Sequence, residues 1–545
     1  MDALPDLSQL PVCADPVAAL RRGVPLLTAT NRLARGLRGE FEREQLQAGL
    51  QAWPTPTVLP WSAWLAGQLT TLTDAGEIQG VVLSAAQEGL LWEQLVAASE
   101  AGAALLRPEA AADAAASAYR LIQEWEIPRT RLTAAATPET ENLLAWSNAL
   151  EAQCAVRGWL PRAGLIALVT DAVQRGVLAA PPELLLAGFD DHPPAQARLL
   201  GALCRAGTRL MTLEVTVAAA QTQRLAAVDA AAEMTLAARW ALARLQHDPG
   251  ARIGIVVPDL AARRTALTRI LDHTLHPSSG LADFGAPALY ELSLGLPLVE
   301  HPVIEDALLA LALLGGPQPL VDVGRLLRSP YLSGGQSEWA QRGALDARLR
   351  RHAGVTINLW QLAQQARDRC PRLAQALASA RARLDALPGR AAPSVWAEHF
   401  DRLLSALGWP GERSLDSAEF QQVRRFRDLY SEFAALDRVT AGLSFRAALG
   451  GLRRLTADTL FQPEGRQAPI QVLGVLEAGG LRFDHLWVMG LDDATWPAPA
   501  APHPLLPATL QRELGLPHAS AERELGFARR LTQRLRRAAP EVILS

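Results

Sequence analysis

Two adjacent carboxylates, Asp190 and Asp191, follow the apolar run Leu184–Leu186. A carboxylate pair at a strand end can hold a divalent metal and orient a water for attack. The same pair can instead sit in solvent and cap the helix that follows. That second role is expected here, because acids at a strand-to-helix turn commonly serve it. Arginines come in groups: Arg342, Arg348, Arg350 and Arg351; then Arg424, Arg425 and Arg427; then Arg529, Arg530, Arg534, Arg536 and Arg537. Guanidinium groups bind phosphate bidentately and stack on bases. Against 4 tyrosines stand 14 tryptophans, and Trp61 and Trp64 lie beside a candidate strand, where a base could stack. Most tryptophans are core, and most arginine runs on helices are solvated faces paired with nearby acids. These residues are therefore candidates for the structure to place. The 10 histidines are scattered without HExxH or HxH spacing, so no metal site is expected.

All 53 basic side chains are arginine; the chain has no lysine. This excludes a lysine under an ATP phosphate, a Schiff base, or a lysine-bearing nuclease triad. A lysine-free chain rich in Ala, Leu, Arg, Gly and Pro reads first as codon composition. With 56 acidic residues the net charge is −3, so the chain as a whole is no basic nucleic-acid coat. At 49% hydrophobic and 20% charged residues it is too apolar for disorder. Four dispersed cysteines (Cys13, Cys154, Cys204, Cys370) form no CxxC pair, which suits a reducing compartment. The start, MDALPDLSQL, lacks a signal-peptide pattern, and the run Ala307–Leu314 is too short to span a bilayer. The expectation is a cytoplasmic protein with no membrane partner.

The elements that must position these residues fall into two clusters of strand-like runs. The first is Val24–Thr28, Thr57–Pro60, Glu183–Leu186 and Arg209–Leu213; the second is Gln223–Val228, Arg252–Val257, Ile470–Leu473 and His485–Met489. Each run of the first cluster precedes a helical pattern, as a parallel α/β sheet requires. Residues 80–175 and 295–440 read helical, with Leu83, Gln87, Leu90, Leu91 and Leu95 at three-to-four-residue spacing in the first stretch.

Two segments resemble motifs of superfamily 1 helicases of the UvrD/RecB type. Gln471–Pro497, QVLGVLEAGGLRFDHLWVMGLDDATWP, follows the frame T-x-H-x-x-K-G-L-E-F-x-x-V-x-V-x-G-x-x-E-G-x-x-P. Gly480, Leu481, Phe483, Gly490 and Pro497 keep the family residue, whereas Gly474, Leu476 and Gly479 stand at the Thr, His and Lys positions. Gly479 and Gly480 are expected to give the turn between two strands its backbone freedom. The competing reading is an arbitrary β-hairpin. In the second segment, Leu184–Gln196, Phe189, Asp191 and Gln196 keep the family residue. Ala187 falls on the metal-binding Asp and Gly188 on the catalytic Glu. Ala and Gly can neither hold a metal nor orient a water.

The first strand runs through Thr28, Ala29, Thr30 and Asn31 into a helix beginning at Arg32, with no Gly-rich phosphate loop before it. This resembles the family's strand–Thr–helix that touches single-stranded DNA. Near the chain end, Glu522–Phe527 matches the start of the arginine-finger segment; Thr532 occupies the finger position, with Arg534 two residues on.

The resemblance implies an α/β protein of superfamily 1 helicase architecture, with two degenerate RecA-like parallel-sheet cores. The first core would take 1–80 and 176–215, the second 216–290 and 441–545, with helical insertions at 81–175 and 291–440. It resembles the inactivated helicase half of AddB/RexB-type subunits and PD-(D/E)XK nuclease-family DNA repair proteins. The further similarity of LLTATNRLARGL, ARIGIVVPDL (Ala251–Leu260) and LGWPGERSLDSAEFQQ (Leu407–Gln422) extends it over most of the chain. The implied function is a DNA-binding scaffold without ATPase or nuclease activity and without cofactors. Its partners would be single-stranded DNA or a duplex end, and a helicase–nuclease subunit.

DNA-binding candidates are Thr28, Asn31, Arg32, Trp61, Trp64, Arg424, Arg425, Arg482, Arg529, Arg530 and Arg534. Two alternatives stay open. The full protein, of which this chain would be the N-terminal part with a nuclease domain beyond Ser545, could act as a PD-(D/E)XK exonuclease or endonuclease, or the chain could be purely a protein-interaction scaffold.

Overall fold

A computed structural model describes residues 10–213, 221–276, 289–352, 354–463 and 468–545. The chain divides into two compact units. The first comprises 1–84, 91–294 and 467–545, the second 85–90 and 295–466. The core boundary expected at 215/216 lies outside the described residues.

The first unit is mixed α/β with two larger parallel sheets and a two-stranded one that pairs Val81–Val82 with Trp159–Leu160. Strands β1 (Leu26–Thr28), β2 (Val58–Pro60), β3 (Glu183–Ala187) and β4 (Arg209–Thr212) form one sheet in the order β2-β1-β3-β4. Leu26 is level with both Val58 and Leu185. Residues 184–187 are all buried, as expected of a strand covered on both faces. One face packs Leu27, Leu184 and Leu186 against Trp64, Leu69 and Leu72 of the helix Trp61–Asp74. The other packs Leu26, Leu185 and Ala187 against Leu33, Leu37 and Phe41 of helix α1, Asn31–Gln47. Thr30 starts α1 by accepting the Leu33 amide at 3.2 Å.

The second sheet has six strands: β5 (Gln221–Arg224), β6 (Ile253–Val256), β7 (Tyr290–Leu292), β8 (Ile470–Leu473), β9 (His485–Val488) and β10 (Glu541–Leu544). Their order is β5-β10-β9-β6-β8-β7, and every pair is parallel. Ile253 is level with His485 on one side and Ile470 on the other. The segments around Gly479 therefore do not form a hairpin, because β6 lies between them. Helices α2 (Ala230–His247) and α3 (Leu260–Leu275) cover one face. Leu531 and Leu535 of α4 (Ala521–Leu535) pack on the other.

One expected strand shifts, and one further strand is present. Gln223–Val228 is strand only at Gln221–Arg224, because Asp229 already caps α2 by accepting the Ala232 amide at 2.7 Å. Tyr290–Leu292 adds a strand that its half-exposed, mixed composition does not announce.

The second unit is largely helical. Its central helix, Pro302–Gly315, is buried along nearly its whole length. Among the described residues no helix is long and apolar enough to cross a membrane.

Candidate functional site: the seam between the two parallel sheets

Ligands of open α/β sheets bind beyond the carboxyl ends of the strands. Past β3 the chain turns at Gly188, whose φ of +78° favours glycine. A Cβ there would collide with Leu33 and would lie 3.6 Å from the Gly479 carbonyl oxygen. Gly479 itself closes the short helix Val475–Ala478 with an ordinary φ of −59°. The expectation that both glycines supply freedom is corrected: only Gly480, at φ +92°, uses it. Leu481 follows and packs against the cores of both sheets. Phe483 is buried, and its amide donates to the Ala538 carbonyl at 2.9 Å.

The rest of the helicase-like segment is held tightly. The buried amide of Gly490 donates to Glu233 at 2.8 Å, and its φ of +69° favours glycine there. The Trp496–Pro497 peptide is cis, and the Trp496 indole N–H donates to the Thr532 hydroxyl at 3.0 Å. Thr532 thus anchors a loop from the finger-like position.

Asp190 and Asp191 are not a solvated cap. The helix they precede, Pro194–Arg205, has Pro193 at its start and no side-chain cap bond. Instead Asp190 meets Arg534 at 2.5 Å, and Asp191 meets Arg523 at 2.6 Å and Arg530 at 3.3 Å. Burial pushes the Asp190 carboxyl above its ordinary value, against the pull of the Arg534 guanidinium. Among the described residues no group of three or more His, Cys, Asp or Glu is placed to hold a metal ion.

The DNA-contact candidates scatter. Thr28 is fully buried and donates its hydroxyl to the Thr30 carbonyl at 2.9 Å. Trp64 is core at 8% exposure, and the half-buried Trp61 sits 5.4 Å from it and 6.3 Å from Phe189, edge-on. Trp64 and Thr28 therefore have little or no surface to offer a base or phosphate, because the first sheet's packing needs them. Arg32 pairs with Glu291 at 3.7 Å, and Arg530 and Arg534 are engaged with the acidic pair. Asn31, Arg482 and Arg529 are exposed. Gln196 is buried on its helix. Arg424 and Arg425 lie in the second unit; Arg424 is exposed and Arg425 pairs with Glu432 at 2.7 Å.

Sequence reading missed the role of Arg523. The available signal was its spacing from Arg530 and Arg534, seven and eleven residues, which puts all three on one face of α4. Also missed was the contact face of α1: Arg32 toward Glu291, Gly36 against Leu481, and Glu40 3.3 Å from Arg252. The seam is thus filled by α1, glycine turns and ion pairs. It presents an apolar and charge-paired contact. The chain matches no protein-family model and no curated protein.

Proposed function

We propose that this chain is a helicase-like, non-ATPase DNA-binding scaffold of a break-end-processing repair system. It would hold a single strand or duplex end for a linked nuclease domain or partner motor. The observation that carries the reading is the meeting of two motif-like segments at the seam. Ala187–Gly188 ends one parallel sheet, and Gly479–Leu481 forms the turn of the other, with Gly188 against Gly479. In the resembling helicases the corresponding positions carry the metal-binding and catalytic acids and the polar readers of ATP and DNA. Here Ala and Gly replace the metal and water carboxylates. Leu33, Leu481 and the Asp–Arg pairs take up the contact between the sheets. Binding would then be electrostatic, through exposed guanidinium groups such as Arg529, Arg536 and Arg537.

The test is a fluorescence-anisotropy titration of the pure chain with a short single-stranded oligonucleotide at several salt concentrations, alongside an ATP hydrolysis assay. Expected are salt-sensitive binding and no turnover above background. ATP turnover that tracks the protein through purification would overturn the non-ATPase part. Absence of binding at low salt would favour a pure protein-interaction scaffold.

A further inference from the structure

Helix α4 carries two different surfaces besides its apolar one. Glu524, Ala528, Leu531 and Leu535 are buried. Arg529 within the helix, and Arg536 and Arg537 just beyond its end, are exposed. Arg523, Arg530 and Arg534 form a third row, set by their spacing, and all three reach the two carboxylates that follow β3. Arg523 is fixed further by the Gly515 carbonyl at 2.8 Å and by Glu524 at 3.2 Å. The Asp190 side chain is only 11% exposed, and those of Arg523 and Arg534 18% and 28%. Beside them opens a hollow lined by Trp125, His192, Gly515, Gly526 and Arg530.

Guanidinium forks donate to carboxylate and phosphate oxygens with the same geometry. With the acids removed, Arg523 and Arg530 would share the oxyanion position that Asp191 vacates, and Arg534 the neighbouring one that Asp190 vacates. The acids come from the first sheet and the forks from a helix on the second, so their pairing ties the sheets together. The adjoining apolar contacts, Leu33 at Gly480 and Leu481 at Gly36, close the seam beside it.

We propose that Asp190 and Asp191 are tethered internal ligands in an oxyanion cradle formed by Arg523, Arg530 and Arg534, holding the seam closed with no bound anion. The chemical class this cradle accepts when the carboxylates are removed is inorganic phosphate or a phosphate monoester. The inference does not depend on whether the chain binds DNA.

The experiment is thermal melting of the full chain and of its Asp190→Asn/Asp191→Asn variant, in chloride and in inorganic phosphate at matched ionic strength. The wild type should melt at the same temperature in both. The variant should melt several degrees lower in chloride and recover with phosphate along a saturating dose curve. Adding Arg530→Gln and Arg534→Gln to the variant should abolish that recovery. If the double variant does not fold, Asp191→Asn alone is measured the same way, with Arg530→Gln as its control. A variant that melts like the wild type in chloride overturns the proposal. So does phosphate stabilisation equal in wild type and variant, or recovery that persists without the arginines.

Discussion

Gly36 on α1 lies directly under Leu481: a Cβ at position 36 would come within 2.7 Å of the Leu481 Cδ2. A helix that packs on the first sheet and a turn that belongs to the second thus meet through one side chain and one missing side chain. Leu481 packs against both cores. Replacing it with alanine removes apolar contact from both at once.

Leu481→Ala is expected to destabilise the chain by about 1–2 kcal/mol, below the range for a fully buried leucine because Leu481 is half-buried. Gly36→Val should cost about 1–3 kcal/mol by overpacking the same spot. Denaturant unfolding checks both. Additive losses in the double variant Gly36→Val/Leu481→Ala would contradict direct contact, because the smaller residue at 481 should relieve the larger one at 36.

Gly188 tests the same seam from the other sheet. Its φ of +78° costs a residue with a Cβ about 1–2 kcal/mol, and Leu33 occupies the space a Cβ would need. Gly188→Ala should therefore destabilise by about 2 kcal/mol or more. Gly188→Glu supplies the carboxylate found at this position in the resembling helicases. It should cost more still and yield no ATP hydrolysis, because the seam is filled and Ala187 remains. A Gly188→Glu variant as stable as the wild type would refute this packing.

How much of this was legible in the sequence follows the range of the forces involved. Strands covered on both faces announce themselves as continuous apolar runs; Leu184–Ala187 and Ile253–Val256 are examples. The edge strand Gln221–Arg224 is polar and mostly exposed, so its apolar neighbours Leu225–Val228 drew the reading past its end. The glycine frame at 480 and 490 was legible because positive φ restricts residue choice locally. The ion pairs of Asp191 were not: its partners stand 332 and 339 positions away, and no local period encodes such a meeting. Nor was the burial of Trp64 and Thr28, which depends on how helices close over the first sheet.

The arginines of α4 and its end should separate by function. Arg529, Arg536 and Arg537 are exposed, whereas Arg523 and Arg534 are largely enclosed by their acids. Arg529→Gln/Arg536→Gln is expected to leave the melting temperature nearly unchanged while weakening oligonucleotide binding. Each lost phosphate contact should flatten the dependence of log affinity on log salt by about 0.7 for a single strand. Arg534→Gln should lower the melting temperature instead. Anisotropy titrations from low to moderate salt read the slope, and an unchanged slope in the double variant would remove these residues from the proposed DNA surface.

The second unit offers a pH test. Glu412 accepts the amides of Gly334 at 3.0 Å and Ser337 at 3.1 Å, the Ser337 hydroxyl at 3.1 Å and the Arg372 guanidinium at 2.9 Å. Burial raises its pKa, but these four donors together outweigh burial and hold the carboxyl down to about 2. In the unfolded chain a glutamate titrates near about 4.3. The folded value is the lower one, so this carboxylate's contribution is fully present above the unfolded value. It is lost as pH falls from there toward about 2. Glu412→Gln has no proton to take up. The variant should be less stable than the wild type at pH 6, with the difference shrinking steadily as pH falls below about 4.3. Urea unfolding of both proteins at pH 6, 4 and 3 measures the gap. A gap that stays constant across that series would mean that the Glu412 charge does not hold the loop Gly334–Ser337 in place.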